Sequence, residues 1–192
     1  MSYYEILLFL HILASIVWLG GGFALQLLVL RAERTNDHIL LKKLAENAGW
    51  LAQRLFIPSS LAVLLLGILL TIEGPWGFGD LWIVLGLVGY AASFLTGILF
   101  LEPEGKRIDA AMTAHGPGSA QAAHHVKRIN TVQWMEIVIL FLVVAIMALK
   151  PTGDDTGTIV LLAAIVLAAL AVGMRRLSGR PPADEALAAR SD

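Results

Sequence analysis

The chain has 192 residues, 57% of them hydrophobic and 15% charged, against about 25% charged in a typical soluble domain. A water-facing surface cannot absorb that excess, so the chain reads as one lipid-solvated domain with short connections. There is no cysteine, which excludes disulfides, thiolate catalysis, cysteine-held metal and c-type haem attachment. The net charge of -1 gives no reason to expect a nucleic-acid partner.

In chain order, the first apolar span covers residues 3–30. No Lys or Arg precedes Arg31 and the run is too long for a signal-peptide core, so this helix is expected to stay in the protein. Residues 31–37 form a polar break in which Asn36 or Asp37 can cap a new helix. Leu40, Leu41, Leu44, Ala48, Leu51 and Leu55 then recur at helical spacing, with Lys42, Lys43, Glu46 and Gln53 off the stripe. That pattern predicts an amphipathic helix at the lipid surface or on neighbouring helices, bending through Pro58 into span two.

Span two ends near Ile72, and residues 73–80 form a turn with Trp76 and Phe78 at interfacial depth. Span three covers 81–101 and is expected to reach the inside at Glu102-Pro103-Glu104. Residues 105–133 read as two helical extensions interrupted at His115-Gly116-Pro117-Gly118. Span four is 134–149, followed by an acidic turn at 150–157. Span five, 158–174, is almost entirely aliphatic, and the tail after Leu177 has the composition of a disordered segment.

Marking these spans sorts the basic residues. Thirteen of the 14 Lys and Arg fall on one side and only Lys150 on the other. The positive-inside rule then places the N-terminus outside and the C-terminus inside. The expected architecture is an all-α, polytopic membrane helical bundle of five transmembrane helices. Residues 1–150 form a four-helix domain, 151–177 an additional helix, and 178–192 a disordered cytoplasmic tail.

Chemistry can reside on the polar stripe of span one. At about 100° per residue, Tyr4, His11, Ser15, Trp18, Gly22 and Gln26 share one face, and such a face turns into the bundle because polar groups in hydrocarbon cost several kcal/mol. His11 can hydrogen-bond a neighbouring helix, ligate a metal or haem iron, or carry protons. Spans two and three carry small-residue stripes suited to close packing: Ser60, Leu64, Gly67 and Thr71, then Trp82, Gly86, Gly89, Tyr90, Ser93 and Gly97. The Tyr90 hydroxyl, near mid-membrane, needs a partner. On span four Glu136 and Met147 share a face. Glu136 reads as an interfacial carboxylate, a hydrogen-bond partner or a proton relay, and Met147 as core filler or a second ligand. His115, His124 and His125 read as a solvated loop with a soft metal as the alternative.

The segment from His11 to Gly22, HILASIVWLGGG, resembles the first helix of several small bacterial membrane families. The layout over about residues 1–150 is similar to the integral-membrane family called domain of unknown function 2269. The features that carry the likeness are the basic stretch after span one, Leu55-Phe56-Ile57-Pro58, Gly67 and Trp82. The His-x6-Trp spacing also resembles copper-resistance protein D and the HemJ-type protoporphyrinogen oxidases. The latter resemblance implies haem ligation by His11, but the lysine which that family uses in a later span has no counterpart here. The copper-resistance resemblance implies more Met and His at the outer face than Met147 and His11 supply.

These readings lead to a multi-pass protein of a bacterial inner membrane. Its function is expected to be haem- or redox-associated, with His11 as axial ligand to haem b and the other position taken by Met147, by His11 of a second copy, or left open. The alternatives are a non-enzymatic scaffold that holds another membrane protein, and a small metal or solute transporter, for which no inverted repeat or broken helix is visible. No reaction follows from the sequence.

Overall fold

A helix in lipid must satisfy its own backbone, and the chain does so almost continuously. The computed structural model describes residues 2–178, and among them the regular structure is entirely helical. The α-helices are α1 (Tyr3–Thr35), α2 (His38–Leu51), α3 (Ile57–Glu73), α4 (Leu81–Thr96), α5 (Glu102–His115), α6 (Ala120–Leu149) and α7 (Thr156–Leu177). Five continuous helical stretches are long and apolar enough to cross a membrane. The tail expected to be disordered, with Arg180 and Arg190, lies beyond the described residues except for Ser178.

α1 begins with a capping box: Ser2 Oγ accepts from the Glu5 N–H at 3.2 Å, and Glu5 Oε2 accepts from the Ser2 N–H at 2.7 Å. Its 33 residues span about 50 Å, against about 30 Å of hydrocarbon, so its last turns project past the bilayer. The polar break expected from Arg31 is therefore mostly helix. It shrinks to Asn36, in the left-handed region at φ 52°, and Asp37, whose Oδ1 accepts from the Leu40 N–H at 2.9 Å and starts α2.

α2 is an amphipathic helix, as its stripe predicts, and it lies on protein. Leu41 and Ala45 pack on a small core of Ile108, Ala111, Met112, Ala122 and Val126 from α5 and α6. The outward residues Ile39 and Trp50 stay exposed.

Two prolines explain the joints that follow. Proline has no N–H and its ring collides with the carbonyl four residues back. Before Pro58 the helix widens into a π turn at Ala52–Phe56, and before Pro103 it does so at Gly97–Leu101. A π turn absorbs the collision without ending the helix. Past Pro103 the chain runs on into α5 and reverses at Gly116, at φ 88°. The two helical extensions expected over residues 105–133 are thus α5 and the start of α6, and the interruption expected at residues 115–118 is the turn between them. α6 starts at Ser119, whose Oγ accepts from the Ala122 N–H at 3.2 Å, so α6 begins well before the apolar stretch at Trp134.

In the membrane region α1 packs on α3, α4 packs on α6, and the two pairs meet along α1 and α6. At the end opposite α2 and α5, Lys150 adopts φ 47° and holds its Nζ 3.8 Å from the Trp76 ring centre and 5.2 Å from that of Trp82. The two rings meet edge to face at 5.3 Å. The one basic residue set apart by the spans is thus held by a cation–π contact that ties the α3–α4 loop to the end of α6.

α7 is attached to the rest through α6 alone among its substantial packing contacts. Its one buried position is Gly173, where a Cβ would meet the Met135 side chain. Truncation after Gly153 is expected to leave a membrane-inserted protein containing α1 to α6, detected as a stable fragment in carbonate-washed membranes. Degradation of that fragment where the full chain accumulates would make α7 part of the core.

Candidate functional site: the polar interior

Most hydroxyls in the helices bond within their own helix. Ser15 Oγ donates to the His11 carbonyl at 2.8 Å, Ser59 to Leu55 at 2.6 Å, Ser60 to Ile57 at 3.0 Å and Thr71 to Gly67 at 3.0 Å. Thr96 and Thr131 do the same with Ala92 and Lys127. Such bonds cost nothing in partner geometry and need no second helix. Ser93 differs. Its Oγ donates across to Glu136 Oε1 at 2.6 Å, joining α4 to α6.

That bond sits on a seam of glycine notches. A Cβ at Gly86 would occupy the space of the Met147 methyl, and one at Gly89 that of a Val143 methyl. The pairs 86/147, 89/143 and 93/136 run in antiparallel order, so the small-residue stripe of α4 does what small residues do in membranes: it brings two backbones close. Met147 is the knob for Gly86. Glu136 lies at the end of the same seam, with Oε2 buried and without a hydrogen-bond partner.

The stripe on α1 is distributed among three neighbours. His11 faces α3: its Cε1 and Nδ1 lie 3.2 and 3.6 Å from where a Gly67 Cβ would stand, the imidazole interacts with the Val63 backbone, and Nδ1 is buried without a hydrogen-bond partner. Trp18 faces α4, meeting the Tyr90 ring edge-on at 5.7 Å, while Tyr90 stacks on Phe94 at 6.0 Å. The buried Tyr90 hydroxyl also has no partner. Gln26 faces α6 and is 3% exposed, its amide bonded to the Asn130 side chain. Of the residues singled out from sequence, Trp18 with Tyr90 come together directly, and Glu136 joins them through Ser93, one turn from Tyr90. The contacts of His11 are to α3 and those of Met147 to α4, so the two expected ligands face different helices.

Two polar groups were not read from the sequence. Asn130 also bonds Glu33, so Gln26, Asn130 and Glu33 form a chain that leads out along the end of α1. Farther out, Glu104 is fully buried, with Arg107 Nη1 at 2.8 Å, His125 Nδ1 at 2.7 Å and Arg128 Nε at 3.5 Å. The spacing of Glu104 and Arg107 on one helix face could have suggested that pair, but nothing local announces His125 from the far side of the hairpin. His124 and His125 lie in the opening turns of α6 rather than in a loop, and among the described residues no three His, Asp or Glu side chains converge as a metal site.

A carboxyl, a phenol and an imidazole with unpartnered atoms inside an apolar bundle can take up a proton, hold water, or meet a ligand that supplies the missing bonds. No curated protein and no solved structure matches the chain. A family model does, over residues 5–151, which takes in α1 to α6 and leaves out α7. The chain belongs to the family described as predicted integral membrane protein, domain of unknown function 2269.

Proposed function

We propose that this multi-pass membrane protein binds a small ligand within the bilayer, with His11 as the binding group and haem b as the ligand chemistry. The observation that carries the reading is the buried His11 Nδ1, which has no hydrogen-bond partner on a lipid-embedded helix. An imidazole in that state retains a nitrogen able to ligate iron. Bound haem would supply one-electron chemistry; the protein would supply the ligand, its orientation and an apolar wall.

The fit is partial. His11 offers the donor atom, but its Nδ1 edge is covered by Gly67, so ligation through Nδ1 requires α3 to move off the ring. Met147 is committed to Gly86 and offers no sixth ligand in this packing. The reading therefore narrows to His11 alone or His11 of two copies. The Gly67 contact favours a second reading, in which the imidazole fills the notch and holds α1 to α3 within a scaffold for another membrane protein. A transporter draws less support, since its broken helices belong at mid-membrane, whereas both π turns here lie toward the α2 and α5 end.

Protein purified mildly from haem-supplied cells should carry a Soret band that His11→Ala abolishes while insertion persists. Met147→Leu should leave the spectrum unchanged, and the haem-to-chain ratio separates one ligating copy from two. Colourless wild-type protein would reject haem and leave the packing reading, under which His11→Ala costs about 1–2 kcal/mol of bundle stability.

We further infer a bacterial inner-membrane location with the basic end in the cytoplasm. Of the 14 Lys and Arg, 13 lie on that side of the spans, and basic residues near span ends resist translocation. Reporters fused after Thr35 and Ala114 should report cytoplasm and one at Gly77 the opposite compartment. A cytoplasmic signal at Gly77 would invert the assignment.

A further inference from the structure

We propose that Glu136 is an intramembrane proton-binding site, supplied from the basic end of the bundle along Glu33, Asn130 and Gln26. The proposal is independent of what His11 holds.

The geometry at the carboxyl is asymmetric. Oε1 accepts from Ser93 at 2.6 Å, and Oε2 is buried with nothing to bond. As a carboxylate, Glu136 lacks a donor at Oε2; as an acid, its O–H lacks an acceptor there. No Lys or Arg occurs within the apolar stretches to balance a fixed negative charge. An exchangeable proton, with the water that carries it, balances the charge and completes the bonds. Tyr90 adds a second open donor and acceptor one turn along α4 from Ser93.

The route is marked by the second polar chain. Asn130 bonds both Gln26 and Glu33, and Glu33 lies in the last turn of α1, past the apolar stretch. Asn130 and Glu136 are six residues apart on α6, an axial rise of about 9 Å with the two positions about 120° apart around the helix. The last part of the route therefore requires a short file of water between α1, α4 and α6. Within the apolar stretches the helices packed against α6 carry few titratable groups: α4 brings Tyr90, and α1 brings His11, with Tyr3, Tyr4 and Glu5 at its start. At the basic end α1 adds Arg31, Glu33 and Arg34, and α5 adds Glu102, Lys106, Asp109 and His115 together with Glu104, which pairs with Arg107, His125 and Arg128. α7 brings only Arg175 and Arg176 in its last turn. Among the described residues, no hydrogen-bonded chain like that of Asn130 lies between Glu136 and the Lys150 end, where the seam closes with Val143 on Gly89 and Met147 on Gly86. In the exchange, the carboxylate takes one proton from water at the basic end, becomes uncharged, and returns that proton the same way.

The test uses the full chain in proteoliposomes of sorted orientation, with pH set separately on the two sides. The probe is dicyclohexylcarbodiimide, which adds to a protonated carboxyl in apolar surroundings to leave an N-acylurea with no leaving group. Peptide mass mapping should locate the adduct on Glu136. Its formation should speed up when the basic side is acidified and ignore pH on the other side. Asn130→Leu should remove that pH response while the protein still inserts, and Glu136→Gln should lose the adduct. The wild-type measurement stands even if Glu136→Gln fails to fold. An unmodified Glu136 at every pH would overturn the proposal and leave a hydrogen bond that only ties α4 to α6. A response to the Lys150 side would overturn the route, and protection by sodium ions at fixed pH would make the site one for a metal cation.

Discussion

Everything in this bundle follows from the absence of water in the hydrocarbon layer. A polar group there keeps its bonds inside the protein or does without, at a cost of several kcal/mol. The hydroxyls answer by bonding back to their own helices, as Ser59 does to Leu55 and Thr71 to Gly67. The prolines answer with π turns, which pass Pro58 and Pro103 without exposing a broken helix end. Only a few groups are left to reach across, and they define the interior.

Because lipid tails are as apolar as leucine, helix association depends on close approach and on the bonds that close approach permits. The α4–α6 seam shows both at once. Gly86 and Gly89 receive the Met147 and Val143 side chains, and the resulting register brings Ser93 to Glu136 at 2.6 Å. A bulkier residue at either glycine would separate the helices and with them the serine and the carboxyl. The α1–α3 pair is built alike, with His11 over Gly67, and the π turn that leads into α3 adds Leu55 against Gly21. Outside this interior lies α7, most of whose residues are exposed and whose one buried position is Gly173. The family match over residues 5–151 likewise covers only the helices before it.

Much of the fold was legible because its cause is compositional. Five apolar stretches, an amphipathic stripe from Leu40 and a cap at Asp37 all depend on neighbours within a turn or two. The helical extension after span three was legible too, but not the π turn that carries it past Pro103, because a π turn leaves no mark in the residue pattern. The site was half legible. The α1 stripe put Gln26 and Trp18 on one face, and in the fold Gln26 is buried against α6 while Trp18 meets Tyr90 of α4. Which helix each would meet depended on how α1, α3, α4 and α6 are arranged, which no local pattern encodes. So His11 and Met147, alike in depth, face different neighbours. Glu33, Asn130 and Glu104 are ordinary surface residues in sequence, and only the fold turns them inward.

The register of the α4–α6 seam is the claim on which the interior rests, and the chain's lack of cysteine makes it directly measurable. Gly89→Cys combined with Val143→Cys, oxidised in native membranes, should cross-link within one chain. Leu87→Cys combined with Val143→Cys should not, because Leu87 points to lipid. Efficient cross-linking of the Leu87 pair with none from the Gly89 pair would mean that α4 presents another face to α6, and the Ser93–Glu136 bond would fall with the register.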